Sequence, residues 1–281
     1  MALDFMRPSL SVSLVTFHPD VPRLAATIDS FGHAVSIYAE NRGLLAIEFI
    51  VVNNGPDQDS EIIYGLLDRF LGNLSDVHAR VVSGHGNVGF GRGHNIAFSG
   101  SIGEFHLILN PDVEVSGDAL LVAMEFMQLH PECGLLTPAA YRIDGSRQYL
   151  CKRYPTVFDL LLRGFAPAAV RRRFEGRLKR YEMRDSNWED VFWDPPIVSG
   201  CFMLFRTDVL RRVGGFDSGY FLYFEDFDLS LRSAKVSRAA YVPGVRIIHH
   251  GGHAARKGWR HVSMFASSAA RFLGTHGWRW L

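Results

Sequence analysis

The sequence predicts an α/β fold in which a mixed, mostly parallel sheet is flanked by helices, in a single compact unit of 281 residues. Two observations predict this class. Apolar, β-branched runs alternate with helical stretches through the first half of the chain, as they do in parallel sheets covered by helices. Polar residues follow four of these runs, at the strand ends where such sheets bind ligands. The hydrophobic fraction of 47% is typical of a globular protein.

The first half of the chain supplies four predicted strands. They are LSVSLVTF (10–17), AIEFIVVNN (46–54), ARVVS (79–83) and EFHLILN (104–110). The polar residues at their ends are Thr16 and His18, Asn53 and Asn54, Asn87, and Asn110 with Asp112. Because the carboxyl ends of parallel strands meet at one edge of a sheet, these residues are the first candidates for a binding site.

Four helices are predicted between and after these strands. They are PDVPRLAATIDSF (19–31), DSEIIYGLLDRFLG (59–72), HNIAFSGS (94–101) and SGDALLVAMEFMQLHPE (116–132). Asp20 is the expected capping residue of the first helix, and a proline follows it in the first turn. The fourth helix is expected to begin at Ser116 and to end before Pro131.

The second half is less regular. IVSGCFMLFR (197–206) predicts one buried strand, and TDVLRRVGG (207–215) predicts a short helix capped by Thr207 and stopped by Gly214. The segment FLYFEDFDLSLR (221–232) is aromatic, carries three acids and leads into a predicted helix. Linkers, repeats and low-complexity tracts are not evident, so one compact unit is expected.

Charge and cysteine content restrict the class of function. The 30 basic and 29 acidic residues give a net charge of +1, which argues against a general nucleic-acid binder. Three widely spaced cysteines without a C-x-x-C pair indicate neither a disulfide framework nor a zinc site, and they favour a reducing compartment. With neither a membrane-spanning run nor a signal-peptide core in the sequence, we expect a cytoplasmic protein, or one at the inner face of a membrane.

A basic run at residues 163–184 holds eight basic and two acidic residues. Such a run is usually a solvated helix face, and otherwise it meets phosphates or anionic lipid. Tryptophans alternate with arginines near the C-terminus, a pattern that suits a membrane interface. Peripheral membrane contact is therefore expected from two sets of residues: Arg171, Arg172, Arg173, Arg177, Lys179 and Arg180, and Trp259, Arg260, Arg271, Trp278, Arg279 and Trp280.

The stretch SGHGNVGFGRGHN (83–95) contains Gly84, Gly86 and Gly89 in the G-x-G-x-x-G spacing of dinucleotide-binding turns. The flanking structure of a dinucleotide-binding turn is only partly present. A short strand precedes the stretch and a short helix follows it, but the glycines continue through Gly91 and Gly93 and so form a long loop instead of one tight turn. A surface loop with positive φ angles is the simpler alternative. The glycines alone leave both alternatives open.

Four motifs, taken in order, resemble those of the inverting glycosyltransferases of family 2, which have the GT-A fold. The motifs are NVGFGRGHN (87–95), LILNPDV (107–113), SGCFMLFR (199–206) and GGFDSGYFLYFEDFDLSLR (214–232). The likeness covers about residues 10–253 and is greatest to the bacterial rhamnosyltransferases. It implies that the glycine stretch is a sugar-nucleotide loop and that the dinucleotide spacing is a coincidence.

The resemblance implies a nucleotide-sugar half at about 8–114, an acceptor half at about 115–255 and a C-terminal helical tail at about 256–281. It implies transfer of a sugar, rhamnose from dTDP-rhamnose, to a hydroxyl of a glycan or lipid-linked acceptor in bacterial polysaccharide synthesis. A dTDP- or UDP-sugar donor is implied to contact Thr16, Phe17, Asn53, Asn54, Asn87, Gly89, Phe90, Gly93, Asn95 and Asn110. The sugar or acceptor pocket is implied to be lined by Ser199, Gly200 and Cys201.

Asp226 is implied to be the base that deprotonates the acceptor, with Glu225 beside it. Asp112 and His249 are implied to hold Mg²⁺ or Mn²⁺ at the donor diphosphate, with His250 and then His253 as alternatives to His249. Each role has a simpler alternative: helix caps for the two acids, a plain turn for Asn-Pro-Asp, and surface histidines in a glycine loop.

The chain departs from the family pattern at two positions. Asn110 replaces the first acid of D-x-D, which places the need for a metal in question. Asn53 replaces the acid that reads the pyrimidine base, although an amide oxygen still accepts that hydrogen bond, more weakly than a carboxylate does. Because of these departures, a catalytically inactive sugar-nucleotide-binding module is one alternative, and an NAD-dependent oxidoreductase is another.

Overall fold

A ten-stranded mixed sheet takes strands from both halves of the chain. The computed structural model describes residues 9–101, 103–164, 166–251 and 259–281. The strands are β1 (Ser9–Thr16), β2 (Ala46–Asn53), β3 (Val77–Val82), β4 (Phe105–Leu109), β5 (Val113–Val115), β6 (Cys133–Tyr141), β7 (Arg147–Gln148), β8 (Cys151–Lys152), β9 (Phe192–Trp193), β10 (Ile197–Val198), β11 (Phe202–Arg206) and β12 (Arg238–His249).

Helices cover this sheet, so the predicted α/β class with a mixed sheet flanked by helices is confirmed. They are α1 (Val21–Arg42), α2 (Gln58–Leu71), α3 (Phe90–Phe98), α4 (Ala119–Leu129), α5 (Val157–Gly164), α6 (Ala168–Arg173), α7 (Glu175–Tyr181), α8 (Thr207–Arg212), α9 (Glu225–Ser233) and α10 (Trp259–His276). In the described ranges, no helix is both long enough and apolar enough to cross a membrane.

The order of the main sheet is β3-β2-β1-β4-β11-β6-β12-β5. The first four strands are parallel, whereas β11 runs antiparallel to both β4 and β6. β2 and β3 lie on one side of β1, and β4 lies on the other side. The direction in which successive strands are added to the sheet therefore reverses between β1 and β4. A crevice at the carboxyl ends of β1 and β4 follows from this topology.

The apolar faces of the first strands pack against α1, α2 and α4. Leu14 of β1, Phe49 of β2 and Phe31 of α1 are almost fully buried, and the rings of Phe31 and Phe49 lie 5.0 Å apart. Each such side chain contributes about 1.5–3 kcal/mol on burial. As predicted, Asp20 caps α1, and its side chain accepts from the backbone N–H of Arg23 over 3.3 Å. The helix continues to Arg42, beyond the predicted end.

The second half differs from the sequence prediction in two places. The predicted strand at 197–206 is two strands, β10 and β11, which pair with different partners and are separated by the turn at 199–201. Thr207 does not cap α8, because its backbone N–H still bonds Glu104 at the end of the β4 pairing and its hydroxyl has no partner. Gly214 ends that helix as predicted, at a φ of 73°.

A separate apolar cluster ties the C-terminal helix to the rest of the molecule. Phe272 of α10 is fully buried against Phe224, with ring centroids 5.4 Å apart, and Tyr220 and Leu160 belong to the same cluster. The segment just before α9 is therefore held by a helix from the end of the chain.

Candidate functional site

The carboxyl ends of β1 and β4 border a cavity of about 270 Å³. Its lining includes Thr16, Phe17, Arg23, Phe90, Asn110 and Asp112. Phe17 is 52% exposed at this cavity, whereas Thr16 is buried and its hydroxyl has no hydrogen-bond partner. The structure thus brings together five of the predicted site residues, from β1, α3 and the turn after β4. We call this space the smaller cavity.

Asn53 and Asn54 lie at the end of β2 and do not line this cavity. The side chain of Asn53 is fully buried, donates to Pro56 and Ser60, and accepts from the N–H of Gly55 over 2.8 Å. Asn53 therefore stabilises its own turn in this structure. That Asn53 reads a nucleobase stays a prediction, which needs a rearrangement of these bonds.

Asn54 connects β2 to the glycine loop. Its Nδ2 donates to the carbonyl of Gly89 over 3.0 Å, and its Oδ1 bonds Nε2 of His85 over 2.9 Å. Asn87, which is exposed, accepts from the N–H of Gly89 over 3.0 Å. These amides fix the loop beside the smaller cavity.

The glycines of the loop and of α3 permit close backbone approach. Gly89 has a φ of 91°, and a Cβ there would lie 2.3 Å from the carbonyl oxygen of Phe221. A Cβ at Gly91 would clash with Phe216, and one at Gly93 would clash with Val15 of β1. The glycines thus bring α3 against the sheet and against the segment before α9, which leaves the nicotinamide alternative without a supporting observation.

Asn95, in the second half of α3, also attaches this helix to the segment before α9. Its Nδ2 donates to the carbonyl of Phe216 over 2.8 Å, and its Oδ1 accepts from the N–H of the same residue over 2.9 Å. Both polar groups are thereby engaged with one backbone unit. The predicted contact of Asn95 with a nucleotide stays a prediction.

Asp112 and His249 lie side by side where β4 and β12 end. Oδ1 of Asp112 is 3.7 Å from Nε2 of His249, and Asp112 is partly exposed at the smaller cavity. Burial lowers the pKa of His249, with the nearby His250 adding to the effect, while the Asp112 carboxylate acts in the opposite direction. The pair forms an oxygen and nitrogen donor set.

Gln148 of β7 orients this histidine, a role that none of the sequence motifs predicted. Its Nε2 donates to the carbonyl of His249 over 2.6 Å, which places its Oε1 3.0 Å from Nδ1 of the ring. Because an amide oxygen only accepts, Nδ1 carries the proton and Nε2 presents its lone pair toward Asp112. Hydrogen bonds of this kind orient metal-ligating histidines.

The residues present fit a small divalent cation. Oδ1 of Asn110 is buried at the smaller cavity without a partner, close in sequence to the Asp112 carboxylate and its neighbour His249. Mg²⁺ and Mn²⁺ accept one or two carboxylates and complete their shells with substrate phosphates and water. No group of three or more His, Cys, Asp or Glu side chains that could hold a metal occurs among the described residues. His253 lies outside the described ranges.

The acids of the aromatic motif differ in their partners. Asp217 pairs with Arg271 over 2.8 Å, and Asp228 lies between Arg232 and His276, each 2.8 Å away. Asp226 forms no ion pair in the described chain. Oδ2 of Asp226 accepts from the N–H of Gly200 over 3.0 Å. Asp226 is thus available for chemistry in a way that Asp217 and Asp228 are not.

Burial raises the pKa of the two central acids. It raises the pKa of Glu225, whose Oε2 has no partner, and the neighbouring Asp226 raises this pKa further. Burial also raises the pKa of Asp226, while the Gly200 N–H and the Lys152 ammonium act in the opposite direction. A carboxylate with a raised pKa is a stronger base, which suits proton abstraction.

The backbone before these acids is strained. Tyr223 and Phe224 have φ angles of 73° and 66°, which cost about 1–3 kcal/mol each for residues other than glycine. Contacts with α10 maintain the conformation: Tyr223 Oη bonds the ring of His261 over 2.9 Å, and the Ser268 hydroxyl donates to the carbonyl of Leu222. Strain of this kind clusters at functional sites.

A larger cavity of about 650 Å³ lies beside Ser199 and His249. Gly200, which lines neither cavity, follows Ser199 and lies close to Phe90 of the smaller cavity, since a Cβ on Gly200 would lie 3.1 Å from Cβ of Asp226 and 3.3 Å from the ring of Phe90. Asp226 thus lies beside Gly200, close to residues that line both cavities. Cys201 is buried and lines neither space, and burial raises the pKa of its thiol to about 12.

The comparison with protein families identifies the chain. The model described as "Glycosyl transferase family 2" matches residues 12–214. The chain belongs to glycosyltransferase family 2. The match begins within β1, includes the glycine loop and the Asn-Pro-Asp turn, and ends at Gly214, the first residue of the aromatic motif.

Curated relatives of this family member are rhamnosyltransferases. It is 30% identical over 178 residues to "Rhamnosyltransferase WbbL" of Escherichia coli (strain K12), covering 60% of this chain and 63% of that protein. It is 28% identical over 185 residues to "N-acetylglucosaminyl-diphospho-decaprenol L-rhamnosyltransferase" of Mycobacterium tuberculosis, covering 63% of this chain and 58% of that protein. The chain thus spans about three fifths of the length of these relatives.

Solved structures share the fold of this family member. "GalNAc-T7 with UDP, GalNAc and Mn2+" matches with a TM-score of 0.64 at 15% identity, covering 96% of this chain and 48% of that one. "S. aureus TarS 1-349 in complex with UDP-GlcNAc" matches with a TM-score of 0.56 at 14% identity, covering 94% and 66%. The predicted GT-A fold is therefore confirmed.

Proposed function

We propose that this family 2 member is an inverting glycosyltransferase that moves rhamnose from dTDP-rhamnose to a hydroxyl of a glycan or lipid-linked acceptor in bacterial polysaccharide synthesis. One observation carries the proposal. Asp226, a partly buried acid without an ion pair in the described chain, accepts from the N–H of Gly200. Gly200 follows Ser199, which lines the larger cavity, and lies close to Phe90, which lines the smaller cavity with Asp112. The names of the curated relatives support rhamnose as the sugar.

The donor nucleotide is proposed to occupy the smaller cavity. The exposed ring of Phe17 offers a surface on which a base stacks, and Thr16 and the ring of Phe90 line the same cavity. The crevice at the β1 and β4 ends is where open α/β sheets bind nucleotides. The diphosphate is then placed toward Asn110 and Asp112.

The proposed transfer step is a single displacement at the anomeric carbon of the donor sugar. Asp226 takes the proton of the acceptor hydroxyl, the hydroxyl oxygen forms a bond to the anomeric carbon, and the bond from that carbon to the diphosphate oxygen breaks. The electron pair leaves with the nucleoside diphosphate. In-line attack of this kind inverts the anomeric centre. A divalent ion held by Asp112 and His249 would neutralise charge on the leaving diphosphate.

The acceptor is proposed to enter from the larger cavity, past Ser199 and Gly200. The relative of M. tuberculosis is named for a diphospho-decaprenol acceptor, which favours a lipid-linked acceptor here. In such an arrangement the acceptor hydroxyl reaches Asp226 from one side and the donor sugar reaches it from the other.

Peripheral membrane contact is proposed as part of this function. The N–H groups of Val157 and Phe158 in α5 donate to the carbonyls of Arg279 and Trp280, so the C-terminal segment lies against α5. The Phe158 ring in turn packs edge-on against Phe174, between α6 and α7. The basic helices α6 and α7 therefore adjoin the exposed Trp278 and Trp280. We call the surface formed by α6, α7 and these two tryptophans the basic aromatic face.

A catalytically inactive sugar-nucleotide-binding module is the second candidate. The two asparagines favour it: Asn53 is engaged in its own turn, and Asn110 supplies no charge. Transfer or hydrolysis of a nucleotide sugar would exclude it, because an inactive module binds the donor without consuming it.

A thermal-shift screen of dTDP-, UDP- and GDP-sugars, with and without Mn²⁺, tests the donor. A ligand that binds only the folded state stabilises it by about 2.7 kcal/mol at 100 times its dissociation constant. We expect dTDP-rhamnose to give the largest shift. A preference for a GDP-sugar would overturn the proposed pyrimidine donor.

A further inference from the structure

The larger cavity contains a buried ammonium group without a neutralising carboxylate. Lys152 of β8 is 7% exposed and lines this cavity. Its Nζ has one hydrogen bond, a long one of 3.4 Å to the carbonyl of Tyr149, and it forms no ion pair within the described ranges. A buried charge is costly unless a counter-ion or several hydrogen bonds compensate for it. An anionic group bound in this cavity would therefore stabilise the Lys152 ammonium.

The remaining charges of the cavity do not supply that partner. Five basic and two acidic side chains line the space. Of the two acids, Glu182 is engaged by Arg184 over 2.6 Å, and Asp144 accepts from the Ser146 backbone over 2.9 Å. The cavity thus carries an excess of positive charge.

The charged groups around Lys152 act on it in both directions. Burial lowers the pKa of Lys152 to about 8 and Arg163 of α5 acts in the same direction, whereas Asp226 and Glu182 act in the opposite direction. Arg163 also lines the cavity. With Lys152 at the buried end and Arg163 on a neighbouring helix, two cations are available to one anionic group.

We propose that Lys152 and Arg163 bind a phosphate or diphosphate group of the acceptor substrate in the larger cavity. This proposal rests on the proposed function. A diphosphate of the donor is the other source of the same chemistry, and because His249 of the proposed metal pair also lines the larger cavity, the dTDP arm of the test below distinguishes the two sources. Arg163 lies on α5, which carries the C-terminal segment, so an anionic group bound there is next to the basic aromatic face.

Binding, measured without turnover, tests this proposal. The wild-type protein, Lys152→Met and the exposed control Lys235→Met are titrated calorimetrically in EDTA without donor. The ligands are an octyl diphosphate of N-acetylglucosamine, the neutral octyl glycoside of the same sugar, and dTDP. Met keeps the length and the apolar stem of lysine, and removing an uncompensated buried charge should not lower the melting temperature.

The proposal predicts that Lys152→Met weakens binding of the octyl diphosphate about 10- to 100-fold, the usual effect of losing a hydrogen bond to a charged group. Binding of dTDP, binding of the neutral glycoside and the behaviour of Lys235→Met should be unchanged. A loss of dTDP affinity alone would assign Lys152 to the donor and overturn the proposal. Equal affinity of the wild type for the two octyl ligands would overturn it as well.

Measuring glycosyl transfer to the same ligands separates a failure of this proposal from a failure of the proposed function. If the diphosphate ligand binds through Lys152 but no sugar is transferred to it, the anion site stands and the proposed function fails. If the neutral glycoside is glycosylated as fast as the diphosphate ligand, transfer stands and the anion site fails.

Discussion

The backbone N–H of Gly200 donates to Oδ2 of Asp226 over 3.0 Å, which joins the turn between β10 and β11 to the first turn of α9. This bond fixes the carboxylate beside Gly200, close to Ser199 of the larger cavity and Phe90 of the smaller one. It also stabilises the ionised form of Asp226, which a base requires. Burial has a larger and opposite effect, and the resulting pKa of Asp226 lies above its usual range.

This raised pKa predicts the pH dependence of transfer. The base works only when ionised, so kcat/KM should fall as the pH falls through the pKa of the coupled pair of Asp226 and Glu225. Because burial raises both pKa values, the decline should begin well above pH 4. Rates of rhamnose transfer across a pH series give the profile. Full activity down to the usual range of an aspartate would be inconsistent with a buried base.

Glu225→Gln should change how stability depends on pH. Burial and the neighbouring Asp226 raise the pKa of Glu225 to about 8 in the folded protein, whereas the unfolded chain ionises in the ordinary range. Between these two values the folded state binds more protons than the unfolded state, so wild-type stability should fall as the pH rises toward 8. The variant lacks this proton and should lose less stability.

Melting temperatures at pH 5, 6, 7 and 8 measure this difference, with Glu61→Gln as an exposed control. Each 1 kcal/mol corresponds to about 2–4 °C in a protein of this size class. Parallel curves for the wild type and Glu225→Gln would show that Glu225 is ionised in the folded protein.

Gln148→Ala should weaken binding of Mn²⁺ by about 10- to 100-fold, the usual effect of removing a group that orients a metal ligand. The variant removes the bond that holds the His249 ring with Nε2 toward Asp112. Electron paramagnetic resonance of free Mn²⁺, titrated with protein and dTDP, measures the affinity without turnover. Gln128→Ala on the exposed face of α4 is the control. An unchanged affinity would remove His249 from the metal site.

The basic aromatic face should bind anionic vesicles at low salt. Basic residues contribute about 1 kcal/mol each near such a surface, and tryptophans favour the interface. The double substitution Arg172→Glu with Arg173→Glu should release the protein, whereas Arg212→Glu with Lys235→Glu, on other elements, should not. Sedimentation with vesicles measures the bound fraction. If both double variants bind the vesicles equally well, the basic run is a solvated surface without a role in membrane contact.

Local patterns were sufficient to predict much of the fold. Asp20 was predicted as a cap and Gly214 as a helix stop because a cap or a stop depends on a few neighbouring residues. The strands β6 and β12 were not predicted, because their positions in the sheet depend on pairing between residues about 100 positions apart. The break between β10 and β11 has the same origin, since the two strands pair with different partners.

Among the site residues too, those in local motifs were predicted, whereas those placed by long-range strand pairing were not. The sequence identified Asp112, Asp226 and His249 through motifs, and the structure places Asp112 beside His249 and Asp226 behind Gly200. Gln148 and Lys152 were missed, because each reaches the site through strand pairing, Gln148 opposite Ala140 and Lys152 opposite Ile197. Polarity alone does not reveal such partners.

The direct test of the central claim is the rate of transfer by Asp226→Asn. Asparagine keeps the size of the side chain and accepts the Gly200 hydrogen bond, but it does not take up the acceptor proton. We expect turnover from dTDP-rhamnose to fall by about 10²- to 10⁴-fold, the usual contribution of general-base catalysis, with nearly unchanged donor binding. If Asp226 were only a helix cap, asparagine would replace it with little loss. Normal donor binding together with transfer at the wild-type rate would therefore contradict the assignment of Asp226 as the base.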